Sequence, residues 1–464
     1  MEKGIIAEES NLTELFSGSA YNICRTVTEF RWRATRFTSV VCHAAKVFLC
    51  CIFNSCNYCT KGDVYMAVVV QKYGGSSVET IEKIKKVAET ITEREKNGDN
   101  VVVVVSAMGD TTDELIALAK SISSNPDRRE LDALLSTGEM ISSALLAMAV
   151  KNAGYDAVSY SAYQIGMRTK GLYGKSLIED IEVDRIEESL EAGKIVIVAG
   201  FQGINSEGDI TTLGRGGSDT TAVAIAVKLN GICEIYTDVD GIYSVDPRKY
   251  KSAKKLQEID YEEMLELASL GAQVMHSRSI ELGQKYGIPI YVGLSNSDIG
   301  GTLIREGKNM NLENKPVTGL ATSDEDIALT IKDMDNDINM LSDIFGSIGS
   351  RRINIDMISE TAPIEGKVNI SFTVPKEDMT ECLDILSNFA PKESILIDED
   401  IVKFSIVGIG MKTTSGVAAR MFKLFSKNKI GVKLITTSEI RITCAISKKD
   451  KEKAINMVAA EFNL

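Results

Sequence analysis

Histidine is almost missing from these 464 residues: there are two, and His43 precedes Met66. Chemistry that leans on an imidazole base has one candidate in the body of the chain, His276, which reads as a packed polar residue. Proline is scarce, at 7, and tryptophan is found once, at Trp32. No charge-free apolar run of about 18 residues occurs, so no membrane-crossing helix and no membrane partner are expected. Lys and Arg number 52 against 65 Asp and Glu, a net charge of -13. No basic stripe offsets it, which argues against nucleic acid as a partner. Beyond Met66 there are only Cys233, Cys382 and Cys444, each in an apolar segment. They read as reduced core thiols of a cytoplasmic protein.

The first 65 residues differ from the rest. Six of the nine cysteines lie there (Cys24, Cys42, Cys50, Cys51, Cys56 and Cys59), and residues 21–62 carry six Lys and Arg against one Glu. The Cys50–Cys59 stretch could be read as a zinc clip, but it lacks a paired second half with regular spacing. The basic, acid-poor residues 25–46 also allow a targeting segment. The simplest reading makes 1–65 an unstructured extension, or residues upstream of a true start at Met66.

The remaining composition is ordinary globular material, 44% hydrophobic and 25% charged. At this length about two to four domains are expected. Arg215-Gly216-Gly217-Ser218-Asp219 is the most informative stretch. It lies between the apolar run Ile195–Gly200 with Thr211–Gly214 and the helical pattern Thr220–Leu229. A strand, a glycine turn and a helix in that order aim backbone N–H groups at an anion. The same turn holds a cation and a carboxylate, which suits phosphate together with a zwitterionic small molecule. A second such turn, Lys72-Tyr73-Gly74-Gly75-Ser76-Ser77, follows Ala67–Val70 and precedes apolar residues at helical spacing (Val78, Ile81, Ile84, Val87, Ile91). A third, Thr237–Tyr243, leads to Asp246-Pro247-Arg248. One glycine pair is usually structural, since glycine supplies positive φ. Three charged turns in one αβ region point to a site at the carboxyl ends of parallel strands.

From Met66 to about Ile304 strands and helices alternate. Val101–Val105 is the β-branched run of a buried parallel strand, and Thr111-x-x-Glu114 reads as a capping box. Ile195–Ala199, Glu234–Thr237 and Tyr286–Val292 are further strands, the last after a helix at Ile280–Lys285. The expected fold is an αβα sandwich with a mainly parallel sheet over 66–305, then a linker over 306–317. After the linker the chain repeats itself: Met340–Ile358 matches Val417–Ile435 without a gap, Phe345 aligning with Phe422 and Ile353 with Ile430. Two α+β modules of βαββαβ type are expected, at 318–392 and 393–464, as a paired regulatory unit.

Taken together and in chain order, Lys72–Ser77, Gly138-Glu139, Gly214–Asp219 and Thr237–Tyr243 resemble the aspartokinases, from about Met66 to the C-terminus. The resemblance implies transfer of the γ-phosphoryl group of ATP to the β-carboxylate of L-aspartate. It makes Lys72, Arg215 and Asp219 the catalytic residues. Thr112, Glu139, Arg215, Gly216, Gly217 and Ser218 would line the aspartate pocket. Lys72, Tyr73, Gly74, Gly75, Ser106, Ser218, Thr237, Asp238, Tyr243, Asp246, Arg248 and Gln273 would meet the nucleotide. Glu139, placed near a helix start, would hold an α-ammonium, and Arg215 a carboxylate in two bonds. Phe201 reads as core, although it lies near the substrate in the family. An acceptor carboxylate is ionised at neutral pH and needs no general base, which suits a chain so poor in histidine. ATP implies Mg²⁺, held mostly by phosphates and water, so no protein metal ligand is named.

Gln273 stands where the family often has lysine, which would weaken nucleotide binding. The two modules resemble ACT domains, in the family one partly nested in the other, which makes the boundary between 318–392 and 393–464 a soft one; such domains bind an amino acid at module interfaces. That implies feedback inhibition by lysine or threonine and a homodimer or larger homo-oligomer. Asp335, Asn339, Met340, Asp356 and Ser359 are the candidate effector residues; the acidic stretch Asp333–Asn339 would favour a cationic effector or form a solvated loop. No attached dehydrogenase part is expected. The rivals are a kinase of the same fold acting on glutamate, N-acetylglutamate or UMP, and a sensor that binds amino acids without turnover.

Overall fold

The computed structural model describes residues 68–271, 274–307 and 315–464. The readings on 1–65, on Gln273 and on most of the 306–317 linker fall outside these residues.

Local sequence sets the catalytic half. Its elements run β1 (Val68–Tyr73), α1 (Ile81–Lys96), β2 (Asn100–Val105), α2 (Thr111–Ile122), α3 (Arg128–Asn152) and β3 (Ala157–Tyr160). Then come β4 (Arg168–Lys170), β5 (Leu177–Asp180), α4 (Asp184–Glu191), β6 (Ile195–Ala199), β7 (Gln202–Ile204) and β8 (Ile210–Thr212). The last are α5 (Gly217–Leu229), β9 (Ile232–Thr237), β10 (Glu258–Ile259), α6 (Tyr261–Ser269), α7 (Ser277–Tyr286), β11 (Ile290–Leu294) and β12 (Thr302–Ile304). Eight strands form one sheet in the order β10-β12-β11-β9-β1-β2-β6-β3, parallel except where β11 meets β12. Val101–Val105 and Ile195–Ala199 are buried throughout, as strands covered on both faces require. A small second sheet, β5-β4-β7-β8, stands beside it.

Helix ends follow side-chain capping. Thr80 accepts the Lys83 N–H, Asp127 accepts those of Arg129 and Glu130, and Asp260 accepts that of Glu262. The capping box expected at Thr111 does not form. Asp110 is the cap residue, and the Thr111 hydroxyl donates to Met108 O at 2.6 Å. The strand expected at Tyr286–Val292 begins instead at Ile290, because Gly287 closes α7 in the left-handed region at φ 66°.

The C-terminal half holds two four-stranded antiparallel sheets. β13 (Gly319–Ser323) comes first, followed by β14 (Asp326–Asp335), α8 (Ile338–Ser350), β15 (Ile358–Glu360), β16 (Lys367–Pro375), α9 (Met379–Leu386) and β17 (Ile395–Asp398). β18 (Val402–Val407), α10 (Val417–Lys427), β19 (Val432–Thr437), β20 (Arg441–Ile446) and α11 (Lys451–Phe462) complete the chain. One sheet runs β15-β16-β14-β17, the other β13-β18-β20-β19. The contiguous boundaries 318–392 and 393–464 therefore need correction. β17 pairs with β14 in the first module, and β13 pairs with β18 in the second. The first module is inserted after the first strand of the second. Pairing over Gly319–Ser323 is a long-range fact that a repeat in sequence does not reveal.

The second module packs directly on the catalytic domain. Val245, Val317 and Leu320 share a core with Phe404, Met421 and Phe425. Three acids of α6 reach it: Glu262 pairs with Lys412, Glu263 accepts from Thr318 and the Ile409 N–H, and Glu266 pairs with Arg441. The modules are joined by Lys403, 5% exposed, whose ammonium lies 3.0 Å from Asp326 and 2.9 Å from Asp356. Removing a buried cation strands both carboxylates. Lys403→Met is expected to cost about 3–5 kcal/mol, seen as a lower urea midpoint; an unchanged midpoint contradicts the assignment.

Candidate active site

The turns after β1 and β8 meet at one cleft of about 260 Å³. It is lined by Lys72, Gly75, Ser106, Thr112, Glu139, Phe201 and the stretch Gly214–Asp219. Side chains alternate across a strand, so Lys72 and Tyr73 point to opposite faces. Lys72 faces α5, where its ammonium sits 2.6 Å from Asp219 Oδ1, both side chains about one-tenth exposed. Asp219 Oδ1 has charge compensation from Lys72 and no other partner. Tyr73 is wholly buried and stacks on Tyr236 at 5.1 Å, so its side chain is no part of the cleft, contrary to expectation. Under it, Gln71 donates to Glu234 at 2.9 Å, and Glu234 also pairs with Arg94. This buried network holds the ends of β1 and β9 side by side.

Glycines let the walls approach. A Cβ on Gly75 would lie 2.8 Å from Ala107 O, and one on Gly217 would lie 2.8 Å from the Phe201 ring. Gly214 and Gly216 occupy the left-handed region, at φ 77° and 69°. Gly74 spends its N–H on Tyr236 O at 3.2 Å, which corrects the expectation that this amide cradles phosphate. Gly217 begins α5, so Ser218 and Asp219 stand in a first turn whose N–H groups lack intrahelical acceptors. Arg215 is exposed on the rim and makes no ion pair among the described residues. His276 caps α7, its Nδ1 accepting the Arg278 N–H at 3.3 Å, and its ring packs where Gly216 has no side chain.

Glu139 is in mid-helix in α3, not at a helix start. The helix runs through Gly138 because a side chain there would meet Ala107 Cβ at 2.8 Å. Glu139 is 3% exposed; Oε1 accepts the Ala107 N–H at 3.1 Å, and Oε2 has no partner. Burial pushes its carboxyl from 4.5 up to about 7, against the pull of backbone hydrogen bonds. A buried acid with one bare oxygen facing a cleft is built to receive a cation.

A second cavity of about 570 Å³ opens beside the first at the ends of β9 and β11. Asp238, Tyr243, Asp246 and Arg248 line it, as expected of one ligand site, whereas Thr237 is not on its wall and its hydroxyl donates to Asp238. The Tyr243 hydroxyl is held by Asp240, which also pairs with Lys255. Asp246 holds the exposed Arg248 in a two-pronged bond. Leu320, Ala321, Thr322 and Ile455 form the far wall. These regulatory-module residues were missed because nothing local in sequence marks them. Phe201 was underrated in the same way: it lines the cleft at φ 69°, a conformation uncommon for a non-glycine residue.

The expected effector residues divide. Asp356 pairs with Lys403 between the modules, and Asp335 pairs with Lys367. Met340 packs partly against the first module's core, while Asn339 and Ser359 are exposed.

Residues 67–293 match the amino acid kinase family, and residues 327–388 and 404–462 match the ACT domain. An aspartokinase of Bacillus sp. (strain MGA3) is 45% identical over 403 residues, 86% of this chain and 98% of its own. The fold is similar to E. coli aspartokinase III in complex with aspartate and ADP (R-state), at TM-score 0.73 and 23% identity over 85% of this chain and 99% of that one. For the same protein in complex with lysine and aspartate (T-state) the TM-score is 0.67, at 23% identity and the same coverage.

The Glu139 carboxyl gives a pH test. Between pH 4.5 and 7 the folded chain keeps a proton that the unfolded chain has released. Wild-type stability therefore falls as pH rises through that window. Glu139→Gln removes the slope, so its advantage over wild type grows to roughly 2–4 kcal/mol by pH 7. Thermal melts across the window measure it, and parallel curves for the two proteins contradict it.

Proposed function

The chain belongs to the aspartokinase family, and on that premise we propose that it transfers the γ-phosphoryl group of ATP to the β-carboxylate of L-aspartate. The observation that carries this reading is the pairing in one cleft of an exposed cation fork, Arg215, with a buried bare carboxylate oxygen, Glu139 Oε2. An amino-acid acceptor presents the matching charges: its ammonium meets Glu139 and a carboxylate meets Arg215 in two bonds. N-acetylglutamate and UMP carry no ammonium and would leave Glu139 bare.

Lys72 stands where phosphoryl charge develops. Asp219 holds its ammonium at the cleft, where it would meet a phosphate oxygen. The Ser218 and Asp219 N–H groups and the Ser218 hydroxyl belong to the same wall, whereas the Gly217 N–H is spent on Gly214 O. The attacking β-carboxylate arrives ionised, so no residue need remove a proton. The larger cavity suits the nucleotide, with Asp238 and Tyr243 on its wall. Mg²⁺ would be carried mainly by phosphates and water, with its charge offsetting theirs.

We also propose feedback inhibition through the two modules, with lysine or threonine as effector, in a homodimer or larger homo-oligomer. β15 and β19 support this as outer strands of their sheets that expose Ile358 and Ile435. A cytoplasmic site of action is supported by buried free thiols, of which Cys444 is pushed up to about 12 by burial and so kept unreactive.

Trapping the acyl phosphate with hydroxylamine tests the reading. With ATP and Mg²⁺, no ADP is expected from UMP, and hydroxamate is expected from L-aspartate and not from L-glutamate or N-acetylglutamate. Lysine or threonine should suppress it. Arg215→Ala should raise the KM for aspartate about a hundredfold, as loss of a two-pronged charged bond does. Folded protein that yields no hydroxamate while still binding amino acids would move the reading to a sensor.

A further inference from the structure

Glu139 shares its helix with a second buried carboxylate that the chemistry above does not use. Asp132 lies about two turns earlier on α3, on the same face. It is 1% exposed and has no ion pair among the described residues. Three neutral donors satisfy it: the Gly174 and Thr212 N–H groups on Oδ2 and the Thr212 hydroxyl on Oδ1, each at 2.8 Å. Burial raises its pKa, and these bonds, together with the weaker pull of the Arg128 charge one turn earlier, bring it back. A buried carboxylate that makes no direct ion pair depends on its donors holding their geometry.

Those donors surround the substrate turn. Thr212 ends β8 and stands just before Leu213 and Gly214. Gly174 belongs to the β4–β5 loop, and its carbonyl lies 2.8 Å from where a Gly214 Cβ would be. Ser176, from the same loop, donates its N–H to Thr212 O at 3.0 Å. From α7, Arg278 donates to Leu213 O at 2.7 Å and to Ser176 O at 3.1 Å. The strand that delivers Arg215 is thus clamped between Asp132 and Arg278.

We propose that Asp132 is a positioning residue for the acceptor. It fixes the separation of Glu139 and Arg215, the two groups assigned to the ammonium and the carboxylate, by tying β8 to the helix that carries Glu139. Arg278 completes the clamp from the opposite side. The assignment rests on the aspartate-kinase reading for its substrate, and on geometry alone for its mechanical part.

The test compares Asp132→Ala with Asp132→Asn. The asparagine oxygen can accept both N–H groups while its amide donates to the Thr212 hydroxyl. Asp132→Asn should therefore keep the KM for aspartate within about threefold, and Asp132→Ala should raise it at least about tenfold, as a misplaced substrate clamp does. The KM for ATP should stay within about threefold in both. Hydrogen exchange over residues 212–218 should quicken in Asp132→Ala and not in Asp132→Asn, with no substrate needed. Should Asp132→Ala not fold, Arg278→Met applies the same two readouts from the other side of the clamp. Unchanged exchange, equal effects of the alanine and asparagine variants, or a KM for ATP rising in step with that for aspartate would overturn the proposal. Quickened exchange in a protein that phosphorylates no aspartate would retain the clamp and reject the substrate reading.

Discussion

Lys72 and Asp219 lie far apart in sequence and 2.6 Å apart in space, and that contact joins the two glycine turns of the catalytic half. It requires β1 to present Lys72 on the α5 face, which strand alternation and the buried Gln71–Glu234–Arg94 network enforce. It requires α5 to begin at Gly217, which the left-handed Gly216 makes possible. It also requires neighbouring walls to come closer than side chains allow, hence glycine at 75 and 217. The pair is close and nearly closed off from water, which holds both charges at the floor of the cleft.

The nested modules bring the C-terminal half to the wall of the larger cavity. β13 belongs to the second module's sheet, and its residues Leu320–Thr322 form a wall of the larger cavity. Lys249 spans the boundary, donating to Thr322 Oγ1 at 2.9 Å. α6 touches the same module through Glu262, Glu263 and Glu266 and offers Leu267 to the cavity. The first module meets the second at the Lys403 ion pairs, at the Lys433–Asp398 pair and in the cluster of Ala328, Met357 and Ala445. These contacts are a contiguous physical link of the kind coupling needs.

Much of this was legible in sequence because it is local. Val101–Val105 could only be a buried strand, and the first and third glycine turns fell at the ends of the parallel strands β1 and β9; the Arg215 turn instead follows β8, which pairs antiparallel with β7 in the small sheet, against the expectation. Lys72, Glu139, Arg215 and Asp219 were all named and do line one cleft. What escaped depends on packing between distant segments. Glu139 read as a helix start because Gly138 looks like a break; only the close approach of Ala107 explains a glycine inside that helix. Tyr73 read as a ligand residue because it sits in the motif, yet strand alternation buries it. The order β13-β18 overrode the repeat boundary, since pairing partners some 80 residues apart leave no trace in a local pattern. Asp132 was passed over for the same reason: its three donors come from one distant strand, β8, and one loop.

The account stands on Lys72 acting on the moving phosphoryl group and not as a fastening for the fold or for resting ATP. Rapid-quench single turnover of Lys72→Met, set beside calorimetric ATP binding by the same protein, tests this most directly. The account predicts transfer slowed by at least about a thousandfold with the Kd for ATP within about tenfold of wild type. A Kd weakened as much as the rate would contradict it, and so would transfer at close to the wild-type rate.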